Sequence, residues 1–106
     1  MTRAVLPNRR SHEAFDFEHR GSRWTAGIGR YPDGSLAEVF LDCSKASSDV
    51  ADDGHDTGIA LSFALQHGAP IQALAKSVAR EPDGSPIGIT GRFIDAFAAY
   101  EAGGRP

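Results

Sequence analysis

Cysteine is nearly missing from this chain: Cys43 stands alone among 106 residues. A lone thiol forms no internal disulfide and, with no CxxC pair, builds no zinc ribbon. Placed at the end of an expected strand, it reads as a small buried apolar residue rather than a reactive nucleophile. Long apolar runs are missing too, and none approaches the roughly 20 residues a membrane helix needs. The start, MTRAVLPNRRSHEAF, is basic but holds no apolar stretch of the signal-peptide kind. The expected compartment is therefore the cytoplasm, with no membrane partner. The chain has no Walker loop, and Gly27-Ile28-Gly29 falls inside an expected strand, where it is no dinucleotide fingerprint. No catalytic constellation stands out.

Length and composition are those of one globular domain with a single modest core. The formal charge of −3 is unevenly spread. Residues 1–30 carry six arginines against Glu13, Asp16 and Glu18, whereas residues 31–106 carry five basic and eleven acidic residues. A basic head and an acidic body can serve a partner, or each other.

The apolar pattern sets the fold. Residues 1–13 lack periodicity and contain Pro7-Asn8-Arg9-Arg10, so they are expected to form a flexible basic arm. From Ala14 to His19 the sequence alternates, with Phe15, Phe17 and His19 on one face, and Gly21-Ser22 supplies a turn. A second strand, Arg23–Tyr31, puts Trp24, Ala26 and Ile28 on one face. Pro32-Asp33-Gly34 has tight-turn chemistry, and Leu36–Cys43 is the third strand. Short connections make this an antiparallel meander.

At Ser48 the period changes to that of a helix reaching about His67 and stopping at Gly68. Its expected apolar stripe is Val50, Gly54, Thr57, Leu61, Ala64 and Leu65. Ile59 and Phe63 fall opposite, which predicts a second half buried all round. Gly54, Gly58 and Ser62 recur every four residues, as a close approach by a neighbour requires. A second helix follows Pro70, with Ile71, Leu74, Ala75 and Val78 as its apolar face. The Glu81–Pro86 segment breaks the chain, and a third helix runs from about Thr90 to Ala102, burying Phe93, Ile94 and Phe97. The tetrapeptide Pro-Asp-Gly-Ser occurs at 32–35 and again at 82–85; its flanks differ, so it marks two turns rather than an internal repeat. The expected class is α+β: a three-stranded meander followed by about three helices on one face, with a single domain over 14–102 and a disordered tail over 103–106. So small a sheet leaves an edge or a face open, and a homo-oligomer formed through either is a natural remedy.

Four groups of residues carry functional candidates. Asp49, Asp52, Asp53 and Asp56 share one helix face. They offset the helix dipole, meet a basic partner, or hold a cation; the first reading needs fewer than four charges. With Arg9 and Arg10 they form the candidate partner-binding set. Lys45, Ser47 and Ser48 precede the same helix and are candidates for an anion or nucleotide, although capping is the better account of them and the acidic stripe opposes an anion. Arg23, Trp24, Arg30 and Tyr31 form a candidate nucleic-acid face if Trp24 points outward, against an acidic pI near 5.7. Cys43, His55 and His67 match no zinc spacing, so neither a metal nor a cofactor is expected.

The run from Leu6 to Leu74 also resembles a TSCPD domain, found near the C-terminus of cobalamin-dependent (class II) ribonucleotide reductases and in small stand-alone proteins. The arm Leu6-Pro7-Asn8-Arg9-Arg10, the strand pair around Phe15–Tyr31, Gly34–Leu41, the Lys45–Asp49 loop and Ser62–Ala75 carry the likeness. The reductases' radical chemistry belongs to a barrel with cobalamin and several cysteines, which cannot fit here. The chain also lacks a C-terminal cysteine pair and the Thr-Ser-Cys-Pro-Asp string. The resemblance thus implies a non-catalytic module that binds a protein partner through charged surfaces. A nucleic-acid- or nucleotide-binding domain, or a small acidic inhibitor that fills a basic groove, are the alternatives.

Overall fold

The alternating segments pair as expected. In this computed structural model, which describes residues 2–4, 6, 12–44 and 49–104, β1 (His12–His19), β2 (Ser22–Arg30) and β3 (Leu36–Cys43) form an antiparallel sheet in that order. Helices α1 (Asp49–Gln66), α2 (Ile71–Ser77) and α3 (Ile89–Ala99) follow, and a π-turn over Tyr100–Gly104 ends the described chain. The fold is α+β. Some boundaries move. β1 starts at His12, inside the expected arm, and the first hairpin turn is Arg20-Gly21 rather than Gly21-Ser22. The expected tail begins inside the π-turn, whereas residues 105–106 lie outside the described residues.

Register explains the core. Phe17 stands opposite Trp24, Phe15 and Leu41 flank Ala26, and Val39 pairs with Ile28, so all these side chains share one face. Against it α1 brings Leu61 and Leu65, and α3 brings Phe93, Ile94 and Phe97. Each such large apolar side chain, fully withdrawn from water, contributes about 2–3 kcal/mol. Trp24 is 1% exposed, its ring stacked on Phe17 at 6.4 Å. Its indole Nε1 is buried without a hydrogen-bond partner, a debit of order 1–3 kcal/mol that the ring's apolar area offsets.

Helix α1 sits unusually close to the sheet because its inward stripe is small. A methyl group on Gly54 would overlap the Trp24 ring, and one on Gly58 would stand 3.0 Å from the Val39 carbonyl oxygen. One turn on, Ser62 Oγ accepts from Val39 N–H at 2.8 Å and donates to Val39 C=O at 3.1 Å. Gln66 Nε2 donates to the Ala37 carbonyl at 3.1 Å. The helix therefore satisfies the outer backbone groups of β3 with its own side chains, a way of shielding an edge strand.

The expectation of all-round burial for the second half of α1 is corrected. The buried residues are Ala51, Gly54, Gly58, Leu61, Ser62, Leu65 and Gln66, a stripe turned from the expected one, and Val50 is exposed. Ile59 and Phe63 face outward, 68% and 52% exposed. A narrow sheet gives the helix one flank to pack on, and no second layer lies above it among the described residues.

Candidate interaction surface

The outer face of α1 is built in two halves. Asp49, Asp52, Asp53 and Asp56 are all exposed, and among the described residues none of them makes an ion pair. They stay on the solvent side because the small residues between them turn inward. Ile59 and Phe63 continue the same outer face toward the C-terminus. Beside them, Phe40 projects from the uncovered face of the sheet and is 52% exposed.

These elements bound a groove of about 480 Å³ along β3 and α1, lined by Arg3, Glu38, Phe40, Asp42, His55, Ile59, Ser62 and Gln66 among others. Its floor is apolar and its rim polar. His55 Nε2 meets Asp42 Oδ1 at 2.8 Å, with both side chains largely exposed, so the pair adds little stability. At one end Arg3 Nε donates to Gln66 Oε1 at 2.6 Å, and Ala4 N–H donates to Gln66 C=O at 2.7 Å. The Arg3 guanidinium lies 5.2 Å from the Phe63 ring centre, and the centre of the His67 ring lies 4.2 Å from it, the two rings tilted by 30°.

Among the described residues, neither a free hydroxyl nor a thiol faces the groove. Ser62 Oγ is committed to both backbone groups of Val39, and Cys43 lies on the opposite sheet face, packed against the core. Among the described residues, no three His, Cys, Asp or Glu side chains gather as metal ligands would. What the arrangement can do is hold an apolar side chain over Phe40 and Ile59 while the aspartates attract cationic groups alongside.

The candidate nucleic-acid face is corrected. Trp24 points into the core, so no aromatic platform exists there. Arg30, 5% exposed, is the centre of a buried network rather than a surface cation. Its Nε and Nη2 donate to Glu13 at 2.6 and 3.3 Å, its Nη2 and Nη1 to Glu101 at 2.6 and 3.2 Å. Tyr100 Oη adds a 2.8 Å bond to Glu13 Oε1. The two carboxylates push the guanidinium pKa further upward, Glu101 most. Tyr31 is half-buried at a turn, and only Arg23 is exposed, 3.8 Å from Asp16. Part of the basic head is thus neutralised inside the molecule. Arg9, Arg10, Lys45, Ser47 and Ser48 lie outside the described residues.

Sequence reasoning missed Phe40, Ile59 and Phe63 as surface residues. For Phe40 the signal was present, since it alternates in phase with Glu38 and Asp42 rather than with Val39 and Leu41.

No protein-family model matches the chain, and no solved structure matches it. It is similar to a vitamin B12-dependent ribonucleotide reductase from Rhodopirellula baltica, with 31% identity over 105 aligned positions. That match covers 92% of this chain but 10% of the reductase. The chain therefore corresponds to a small segment of a much larger protein, and it is related to that segment. No helix among the described residues is long and apolar enough to cross a membrane.

Proposed function

We propose that this chain is a non-catalytic interaction module, related to the TSCPD-type C-terminal domains of cobalamin-dependent ribonucleotide reductases, and that it docks a protein partner in the groove between β3 and α1. The observation that carries the reading is the extent of the match: nearly the whole chain against a tenth of a reductase. We read a segment a tenth the length of a large enzyme as a part that works by position and contact. Phe40 and Ile59 supply apolar anchors, while Asp49, Asp52, Asp53 and Asp56 select for a partner segment with basic residues beside its apolar ones. Arg9 and Arg10 belong to the same proposal as a second, basic contact.

The test is affinity capture of the tagged protein's partner from its own cells at low salt. Binding is then measured with both components pure. Ile59→Ser and Phe40→Ser should weaken binding at every salt concentration. Asp52→Asn with Asp53→Asn and Asp56→Asn should weaken it at low salt and flatten its salt dependence. Retention of no protein, or equal binding by all variants, would remove the proposal.

A further inference from the structure

The end of the sheet remote from Arg30 holds a second set of cations, arranged differently. The first hairpin turns through Arg20 and Gly21, both with positive φ, 50° and 77°. For a non-glycine residue that conformation is costly. It directs the Arg20 side chain toward the loop before α3, where Nη2 donates to the Ile87 carbonyl at 3.0 Å. From the other side, Arg92 of α3 donates from Nε to the Glu18 carbonyl of β1 at 2.7 Å. Each guanidinium is fixed by a carbonyl of the opposing element. Among the described residues neither makes an ion pair.

Between the two arginines is a cleft of about 390 Å³, lined also by His19, Glu81, Ser85 and Pro86. A carbonyl orients a guanidinium without cancelling its charge. His19 reports the result: burial first, then the charges of Arg20 and Arg92, hold its imidazole below the ordinary range. Glu18 contributes its backbone, because its side chain alternates to the uncovered sheet face beside Arg23. That leaves Glu81 as the one carboxylate side chain available to the cleft.

We propose that this cleft binds a phosphate group between Arg20 and Arg92, with His19 beside it. Two separate guanidinium forks and an imidazole offer more donors than the two oxygens of a carboxylate accept. A tetrahedral dianion with three or four oxygens matches them. The first turn of α3, whose cap residue Gly88 offers no side chain to its N–H groups, adds a dipole of the same sign. With an overall charge of −3, the attraction is local to this cleft rather than a property of the whole surface.

The source of the phosphate, free ion or phosphomonoester, is decided by the experiment. The Nε–H resonances of Arg20 and Arg92 and the ring resonances of His19 are followed by NMR while the protein is titrated with sodium phosphate, with AMP, and with sodium chloride at matched ionic strength. Saturable shifts at these residues with phosphate, absent with chloride, support the site. Tighter binding of AMP than of phosphate assigns it to a phosphomonoester, and equal or weaker binding assigns it to the free ion. Arg20→Gln and Arg92→Gln should each weaken binding about tenfold, the loss of one charge-assisted contact. The near-ultraviolet signal of buried Trp24 verifies that each variant is folded. Should Arg92→Gln fail to fold, Arg20→Gln carries the test alone, since its side chain lies in an exposed turn. No saturable shift through tens of millimolar phosphate, or binding unchanged in the folded variants, would overturn the proposal.

Discussion

Although the wider flanks differ, both Pro-Asp-Gly-Ser turns follow an arginine, as Arg-x-Pro-Asp-Gly-Ser at 30–35 and at 80–85, and the two copies adopt one geometry in two different settings. In each, the Asp carboxylate accepts from the Ser backbone N–H at 2.9 Å and from its hydroxyl at 2.6 Å. In each, the Gly has φ of 91°, and the Arg donates to the Gly carbonyl, at 2.9 Å from Arg30 and 3.0 Å from Arg80. Even the carboxylate partner is repeated, Glu101 for Arg30 and Asp95 for Arg80. The settings differ in what lies above. Arg30 is 5% exposed beneath Phe97 with two carboxylates, whereas Arg80 is 27% exposed with one. Six residues suffice to define the turn, and the surroundings decide what the turn is worth.

Substitution of the two arginines gives the widest separation. Arg30→Met removes one partner from a buried network and leaves Glu13 and Glu101 facing each other, for a loss on the order of 3–5 kcal/mol. Arg80→Met should cost far less, because water replaces its contacts. Parallel urea denaturation of the two variants measures the difference, and equal losses would break the comparison. At the glycines the intrinsic strain is the same, since a methyl group meets nothing within 4 Å at either position. Gly34→Ala should lose about 1–2 kcal/mol, the cost of left-handed backbone for an L-residue. Gly84→Ala should lose no more than that, because its segment is tied to the body by an isolated bridge, Arg80 to Pro86. Native-state hydrogen exchange would show the Gly84→Ala effect confined to residues near that bridge.

The smallest effect is the one the two turns should share. The Ser35 and Ser85 hydroxyls, then their backbone N–H groups, hold the Asp33 and Asp83 carboxyls below the usual carboxylate range. A depressed folded-state pKa stabilises above the unfolded value, near 3.9, and the gain disappears as pH falls through the folded value. NMR titration should find both aspartates titrating low. Ser35→Ala and Ser85→Ala should each return its own aspartate toward the ordinary range and leave the other unmoved.

What was legible in the sequence follows the same division between local and surrounding causes. The third strand was read with its bounds, because alternation and a Pro-Asp-Gly turn are local signals. The small stripe of Gly54, Gly58 and Ser62 was equally plain, since spacing by four on a helix admits one reading. The outward face of α1 was not legible. Ile59 and Phe63 look like core until it is known that the sheet beneath is narrow and ends at β3. Arg30 was likewise beyond reach: the register shift between Gly29 and Arg30 and the return of Glu101 from the far end of the chain together make it a buried cation. Of the outer face of α1, the acidic half could be seen in advance and the apolar half, Ile59 and Phe63, could not. The paired arginines of the cleft are 72 positions apart in the sequence and meet only once the fold is formed.

The Ser62 and Gln66 bonds to Val39 and Ala37 have a consequence for assembly. With α1 lying over β3, the sheet can be extended only at β1, beyond which no strand pairs among the described residues. A ribbon with two open borders can lengthen without limit, whereas one with a single open border pairs once, about a two-fold axis, and is then finished. The helix that forms one wall of the groove is therefore also a terminator, closing the β3 border to a further strand.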